Sequence, residues 1–187
     1  MPRIETETLA QHRDWRRNQL IEAAASIAIE SGGAAITVAA VAQRAGLSRT
    51  SVYEYFGSSA DLIADLVLEE LNNFAHYLQV AVAHTDQPLA SIEAWIESAL
   101  TYIADGRHLL AKALNATSLP QERTAAIGAA HRALLAPLVT GLTAMGVKDT
   151  QRALLFIQAI TDASTKRIEA GHDAEGEIAY ATTFCIN

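Results

Sequence analysis

Residues 37–56, which read as two very short helices parted by a single glycine, constrain this chain more than any other part of it. Thr37 offers a hydroxyl to cap the free N–H groups of a helix over Val38–Ala45, with Val38, Val41 and Ala42 inward and Gln43 and Arg44 outward. Gly46 stops that helix after about two turns, because glycine accommodates the left-handed conformation that closes a helix. Leu47 plugs the corner, Ser48 is a second N-cap, and Arg49–Phe56 forms the next helix with Val52 and Phe56 on its buried side. Thr50, Tyr53 and Glu54 then point outward. Two short helices joined in this way can set the second at a steep angle to the first and present one of its faces to the major groove of duplex DNA.

Helical spacing continues through the rest of the chain, without a convincing alternation of apolar and polar residues. A first helix over Asp14–Ser31 places Leu20, Ala24, Ile27 and Ala28 on one face, and Gly32-Gly33 ends it. Ser58 and Asp61 form a capping-box pattern, with Asp in place of the preferred Glu or Gln, ahead of a helix reaching about Val82. Pro88 opens a helix to Ala104, and a short one spans roughly Arg107–Ala116. Pro120 starts another, to Met145, with a kink expected at Pro137. Thr150–Ala170 and Glu175–Phe184 follow. The expectation is an all-α protein of about nine helices. An N-terminal arm and three-helix helix-turn-helix domain would occupy 1–57, and a helical ligand-binding and dimerisation domain 58–187.

The net charge of −7 looks unfavourable for nucleic acid until it is divided along the chain. Residues 1–56 hold six arginines (3, 13, 16, 17, 44, 49) against six acids, and residues 57–187 carry the whole deficit, eight basic groups against fifteen acidic. An acidic carboxy-terminal body would repel DNA, which leaves the amino-terminal part as the DNA-facing surface. No apolar run approaches the ~20 residues that span a bilayer, so no membrane partner and a cytoplasmic location are expected. Cys185 is the one cysteine, which excludes an internal disulfide and a cysteine metal cluster.

The run Ile36-Thr37-Val38-Ala39-Ala40-Val41-Ala42-Gln43-Arg44-Ala45-Gly46-Leu47-Ser48, followed by Val52-Tyr53-Glu54-Tyr55-Phe56 and Asp61-Leu62-Ile63, resembles the DNA-binding domain of the tetracycline-repressor (TetR) family. The close match covers about a quarter of the chain, and Arg17 to Gly32 is more loosely similar to the family's first helix. The resemblance implies a homodimer on a palindromic operator in double-stranded DNA, acting as a repressor relieved by a small-molecule effector. It puts Thr37 and Tyr53 on phosphates, Arg49 and Thr50 at base edges, and Ser48 and Ser51 in supporting backbone contacts. Gln43 and Arg44, at the outer end of their helix, are further backbone candidates. An arginine bidentate to guanine is worth about 1–3 kcal/mol of discrimination. Three positions depart from the family pattern. Ala28 and Gly33 stand where bulkier residues are usual, so the small domain's core is expected to pack loosely. Ser59 replaces a common lysine, which should weaken binding and its salt dependence, each phosphate contributing about 0.9 to the logarithmic slope.

For the second domain, Trp95 and Tyr102 on one helix, with the polar side chains of His108, Asn115 and His131 in apolar surroundings, are candidate ligand-binding residues. Core packing, or satisfaction by the protein itself, is the competing reading of each. The stripe Leu154, Ile157, Ile160, Ala163 and Ile168, widened by Phe156, makes 150–170 the expected dimer element, assisted by 175–184. Completion of the monomer core is the alternative. The histidines are scattered, and no metalloprotease motif, phosphate loop or nucleophile elbow is present. No catalytic residue, metal or cofactor is therefore expected. A third reading is an adaptor that keeps the fold and does not read DNA.

Overall fold

The computed structural model describes residues 9–114 and 120–186. Among them the chain is all-helical: α1 (Leu9–Ser31), α2 (Val38–Ala45), α3 (Arg49–Tyr53), α4 (Ser59–Val82), α5 (Pro88–Ala104), α6 (Leu109–Leu114), α7 (Thr124–Ala144), α8 (Thr150–Glu169) and α9 (Ala174–Ile186). Two 3-10 turns, Gly33–Ala35 and Gln121–Arg123, precede α2 and α7. The second takes the place of the expected first turn of a helix from Pro120.

Four helices end in one way. After α2, α5, α7 and α8, a glycine with positive φ (Gly46, Gly106, Gly146, Gly171) lets the next residue's N–H reach back to a carbonyl in the helix's last turn. After α5 this bond runs from Arg107 N to the Tyr102 carbonyl at 3.2 Å, with Gly106 N on the Ile103 carbonyl at 2.9 Å. This is a Schellman closure, and it draws Arg107 into the end of α5, which is why α6 begins at Leu109 and not at Arg107.

The described chain divides into two compact units. The first gathers Met1–Glu70 with Leu110–Ile127. Its core takes Leu20, Ala24, Ile27 and Ala28 from α1, Val38, Val41 and Ala42 from α2, and Val52 and Phe56 from α3 and the turn after it. Leu62, Ile63 and Leu66 of α4 join it, and so do Leu110 and Leu114 of α6. A division at residue 57 thus differs from the division by contacts, because α4 and α6 bury apolar sides in the amino-terminal core. Those same helices add apolar bulk to the core that holds Ala28 and Gly33.

The second unit comprises Leu71–Leu109 and Gly128–Asn187. Its core is built on Leu78, Ile92, Trp95, Ile96, Leu100, Leu134, Leu138, Leu142, Ile157 and Ala181. Pro137 lies inside α7 and has no N–H to give the carbonyl four residues back. On the adjacent carbonyl of Leu134, the buried Trp95 indole donates at 2.8 Å.

Two expectations change. By length and composition Gln121–Ala144 would pass as a membrane span, although no such run was expected. Arg132 and His131 interrupt the apolar sequence without lowering its average enough, while Leu134, Leu138 and Leu142 pack in the core of the second unit. On α8 the expected dimer stripe divides. Ile157 is buried, and Leu154, Ile160 and Ile168 pack against the core; Leu155, Phe156, Ala159 and Ala163 face outward instead.

Candidate nucleic-acid interface

The α2–α3 corner is fixed at each of its ends. Thr37 Oγ1 accepts from Ala40 N at 3.1 Å and Ser48 Oγ from Ser51 N at 3.0 Å, the two N-caps expected. Ser48 Oγ also lies 3.0 Å from Ser51 Oγ. Gly46, at φ 67°, closes α2, with Leu47 N on the Ala42 carbonyl at 2.9 Å. Val52 and Phe56 are buried, so the opposite face of α3 is turned outward: Arg49 and Thr50 are exposed, and Tyr53 is 58% exposed. The α3 spiral ends at Tyr53, not Phe56, because Tyr55 N and Phe56 N both turn to the Val52 carbonyl at 3.0 Å. Ser58 then caps α4, accepting from Asp61 N at 3.1 Å while its hydroxyl donates to the Asp61 carboxylate at 2.8 Å.

The structure gathers Thr37, Ser48, Arg49, Thr50, Ser51 and Tyr53 on one capped corner, with Gln43 exposed at the end of α2. Arg44 is engaged elsewhere. Its guanidinium forks onto Glu30 of α1, at 2.5 and 2.6 Å, and donates to Ser26 Oγ at 2.6 Å. The bonds from Arg44, then from Ser26, hold the Glu30 carboxyl below its ordinary range, and Glu30 raises Arg44 in turn. A second cation of the unit, Arg17, pairs with Asp65 of α4 at 2.7 Å, and the same carboxylate receives Arg123 at 3.1 Å. Arg13 lies 6.0 Å from the centroid of the Tyr55 ring. None of these partners carries a local sequence signal, since each pairing joins residues far apart in the chain.

The candidate ligand residues of the second unit do not line either of two clefts found there. Trp95 is committed to Leu134, and Tyr102 is buried and stacked on Phe74 with ring centroids 4.4 Å apart. Arg107 covers the rings of Tyr77 and Tyr102 at 5.1 and 5.7 Å. His108 Nε2 bonds Glu169 of α8 at 2.8 Å, while its Nδ1 is buried without a hydrogen-bond partner among the described residues. His131 is exposed on α7, and Asn115 lies outside the described residues. One cleft, of about 460 Å³, runs between Gln79, Val82, Asp86, Ser91, Pro137 and Thr140. The other, of about 620 Å³, lies between α8 and α9, lined in part by Ala159, Ala163, Ser164, Tyr180 and Phe184.

Residues 20–66 match the family model described as "Bacterial regulatory proteins, tetR family". The HTH-type transcriptional regulator BetI of Brucella anthropi is 33% identical over 96 residues, 51% of this chain and 46% of that protein. The HTH-type transcriptional activator FasR of Mycolicibacterium smegmatis is 28% identical over 91 residues, 49% and 42% of the respective chains. The chain thus spans about half the length of the curated relatives it matches. The crystal structure of the transcriptional regulator FadR from Bacillus subtilis in complex with stearoyl-CoA aligns at a TM-score of 0.75 with 20% identity, covering 91% of this chain and 97% of that one. At that identity the likeness establishes the fold.

Proposed function

We infer, from the match of residues 20–66 to the family model of tetR-type bacterial regulatory proteins, a dimeric, sequence-specific transcriptional regulator of that family that reads a palindromic operator. The observation that carries this reading is the capped α3 that turns Arg49, Thr50 and Tyr53 away from the core. Arg49 and Thr50 read base edges; Thr37, Ser48, Ser51 and Tyr53 hold phosphates, with Gln43 beside them. Arg44 contributes only where a phosphate displaces Glu30.

Dimerisation uses the outward faces of α8 and α9. Leu155, Phe156, Tyr180 and Phe184 are 61–69% exposed, and the small Ala159 and Ala163 between them admit close approach of a second copy. Effector sensing belongs to the second unit, where Nδ1 of His108, next in sequence to Arg107 and without a hydrogen-bond partner among the described residues, is the first polar atom a small molecule could satisfy. The chain works in the cytoplasm as a repressor and catalyses no reaction. In FasR the sign is that of an activator, so reporter expression with and without the gene tests the sign directly.

Footprinting on the DNA upstream of its own gene tests the reading. A protected, two-fold related site is expected, lost in Arg49→Ala and weakened in Tyr53→Phe. Sequence-independent binding, or none, would favour the adaptor reading, which the zero charge balance of residues 1–56 also allows.

A further inference from the structure

Between Arg49 and Arg107 the sequence contains no lysine or arginine, so neither the end of α3 nor the whole of α4 supplies a cation to DNA. Any arginine or lysine contact to the phosphates flanking the recognition helix has then to come from another element. Among the described arginines of the first unit, Arg44 is held by Glu30, while Arg17 and Arg123 share Asp65. Arg16 lies over Trp15, its own neighbour in α1, at 5.5 Å. Arg13 differs from these. It is exposed, has no ion-pair partner among the described residues, and rests over Tyr55, two residues beyond Tyr53. The Tyr55 ring is half-buried against the core of the unit, so it forms a fixed shelf at the end of α3.

We propose that Arg13 of α1, seated on Tyr55, makes the flanking phosphate contact that the cation-free start of α4 cannot make. This rests on the DNA-binding reading and adds to it a particular cation, placed by a particular ring. Arginine suits the position because its guanidinium can lie flat on an aromatic face and still direct N–H groups to phosphate. The tyrosine acts as a positioning residue. It carries no charge to the DNA, and it holds the cation beside the groove-facing helix.

The salt dependence of operator binding separates this contact from a structural role. Each neutralised phosphate adds about 0.9 to the slope of log K against log salt. The dimer carries two copies of Arg13, so between 50 and 200 mM salt wild-type affinity should fall about 12-fold more than that of Arg13→Ala. Arg13→Lys should keep the wild-type slope, and Tyr55→Leu should keep most of it while binding more weakly. Arg17→Ala should lower thermal stability and leave the slope alone. If the wild type binds its operator and Arg13→Ala has an unchanged slope, or if Tyr55→Leu binds as the wild type does, the proposal is wrong. If the wild type binds no DNA selectively, the functional reading fails first, and the two failures are thereby distinguished.

Discussion

In the first unit the large apolar side chains of α1 to α4 turn inward, and those left outside, such as Ile29 and Tyr53, stand singly. In the second unit α8 and α9 keep Leu155, Phe156, Tyr180 and Phe184 in solvent, Tyr180 and Phe184 with ring centroids 6.3 Å apart. Polar residues also differ in their work. Around α2 and α3 they cap helices and pair across them, as Thr37, Ser48, Glu30 and Arg44 do. Between α8 and α9 one pair, Arg167 with Glu177 at 2.7 Å, borders an apolar cleft. The contrast lies in where apolar surface remains: scattered over the described residues of the first unit, gathered on the α8–α9 face of the second. Exposed apolar patches mark interaction sites, and scattered apolar residues do not.

The most forceful way to break this comparison is to charge the α8–α9 face. Phe156→Asp with Phe184→Asp should leave the chain folded and monomeric by sedimentation, since both side chains are already in solvent. Operator affinity should fall about 100-fold or more, because joining two half-site contacts in one particle supplies that order of avidity. A variant that remained dimeric would move the interface elsewhere, and the second unit would lose its distinguishing property.

A smaller effect, confined to the second unit, is expected from Trp95→Phe. The ring volume is largely kept, but the Leu134 carbonyl loses the indole N–H beside the proline of α7. Losing this buried hydrogen bond costs about 0.5–1.5 kcal/mol, to which the smaller ring adds a packing loss, measurable by urea denaturation. A loss well below this would mean that α5 and α7 close over the smaller ring. Gly141 argues against easy relaxation: a Cβ there would lie 3.0 Å from Ile92 and 3.2 Å from the Pro88 carbonyl, so α5 and α7 already meet closely.

The first unit was the more legible in the sequence for a physical reason. The ends of α2 and the start of α3 are written in adjacent residues: a hydroxyl three positions before the amide it caps, and a glycine where the backbone turns left-handed. The outward placement of Thr50, Tyr53 and Glu54 follows from Val52 and Phe56 in the same short stretch. On α8 the pattern is ambiguous, because apolar residues occupy both sides. Leu154, Ile157 and Ile160 form as good a stripe as Leu155, Phe156 and Ala159, and only packing decides which faces the core. Ion pairs such as Arg44 with Glu30, or Asp65 with Arg17 and Arg123, depend on distant segments meeting and leave no periodic trace. The candidate effector residues were the least legible, since Trp95 and Tyr102 meet the spacing of a pocket wall and of a core equally well.

Within the first unit, Ser48→Ala should cost about 1 kcal/mol, the usual worth of an N-cap. Ser51 N would lose its acceptor at the first turn of a helix only five residues long. Operator affinity should fall further than stability does, because the cap also orders the residues that read bases. Equal losses would assign Ser48 to folding alone.

The smallest expected effect is a pH dependence. Arg44 and Ser26 hold the Glu30 carboxyl below its ordinary range, so their interaction with the carboxylate is present above the ordinary carboxyl value, about 4.3, and lost as pH falls through the depressed one. Both side chains face solvent, so screening keeps the contribution small. Glu30→Gln should therefore remove a shallow acid-side segment from the profile of melting temperature against pH and leave the rest in place. It should also free Arg44 at the end of α2. If operator binding tightens and its salt slope steepens, Glu30 and a phosphate compete for the same guanidinium. If binding is unchanged while the acid segment disappears, the pair only braces α1 against α2, and Arg44 takes no part in holding DNA.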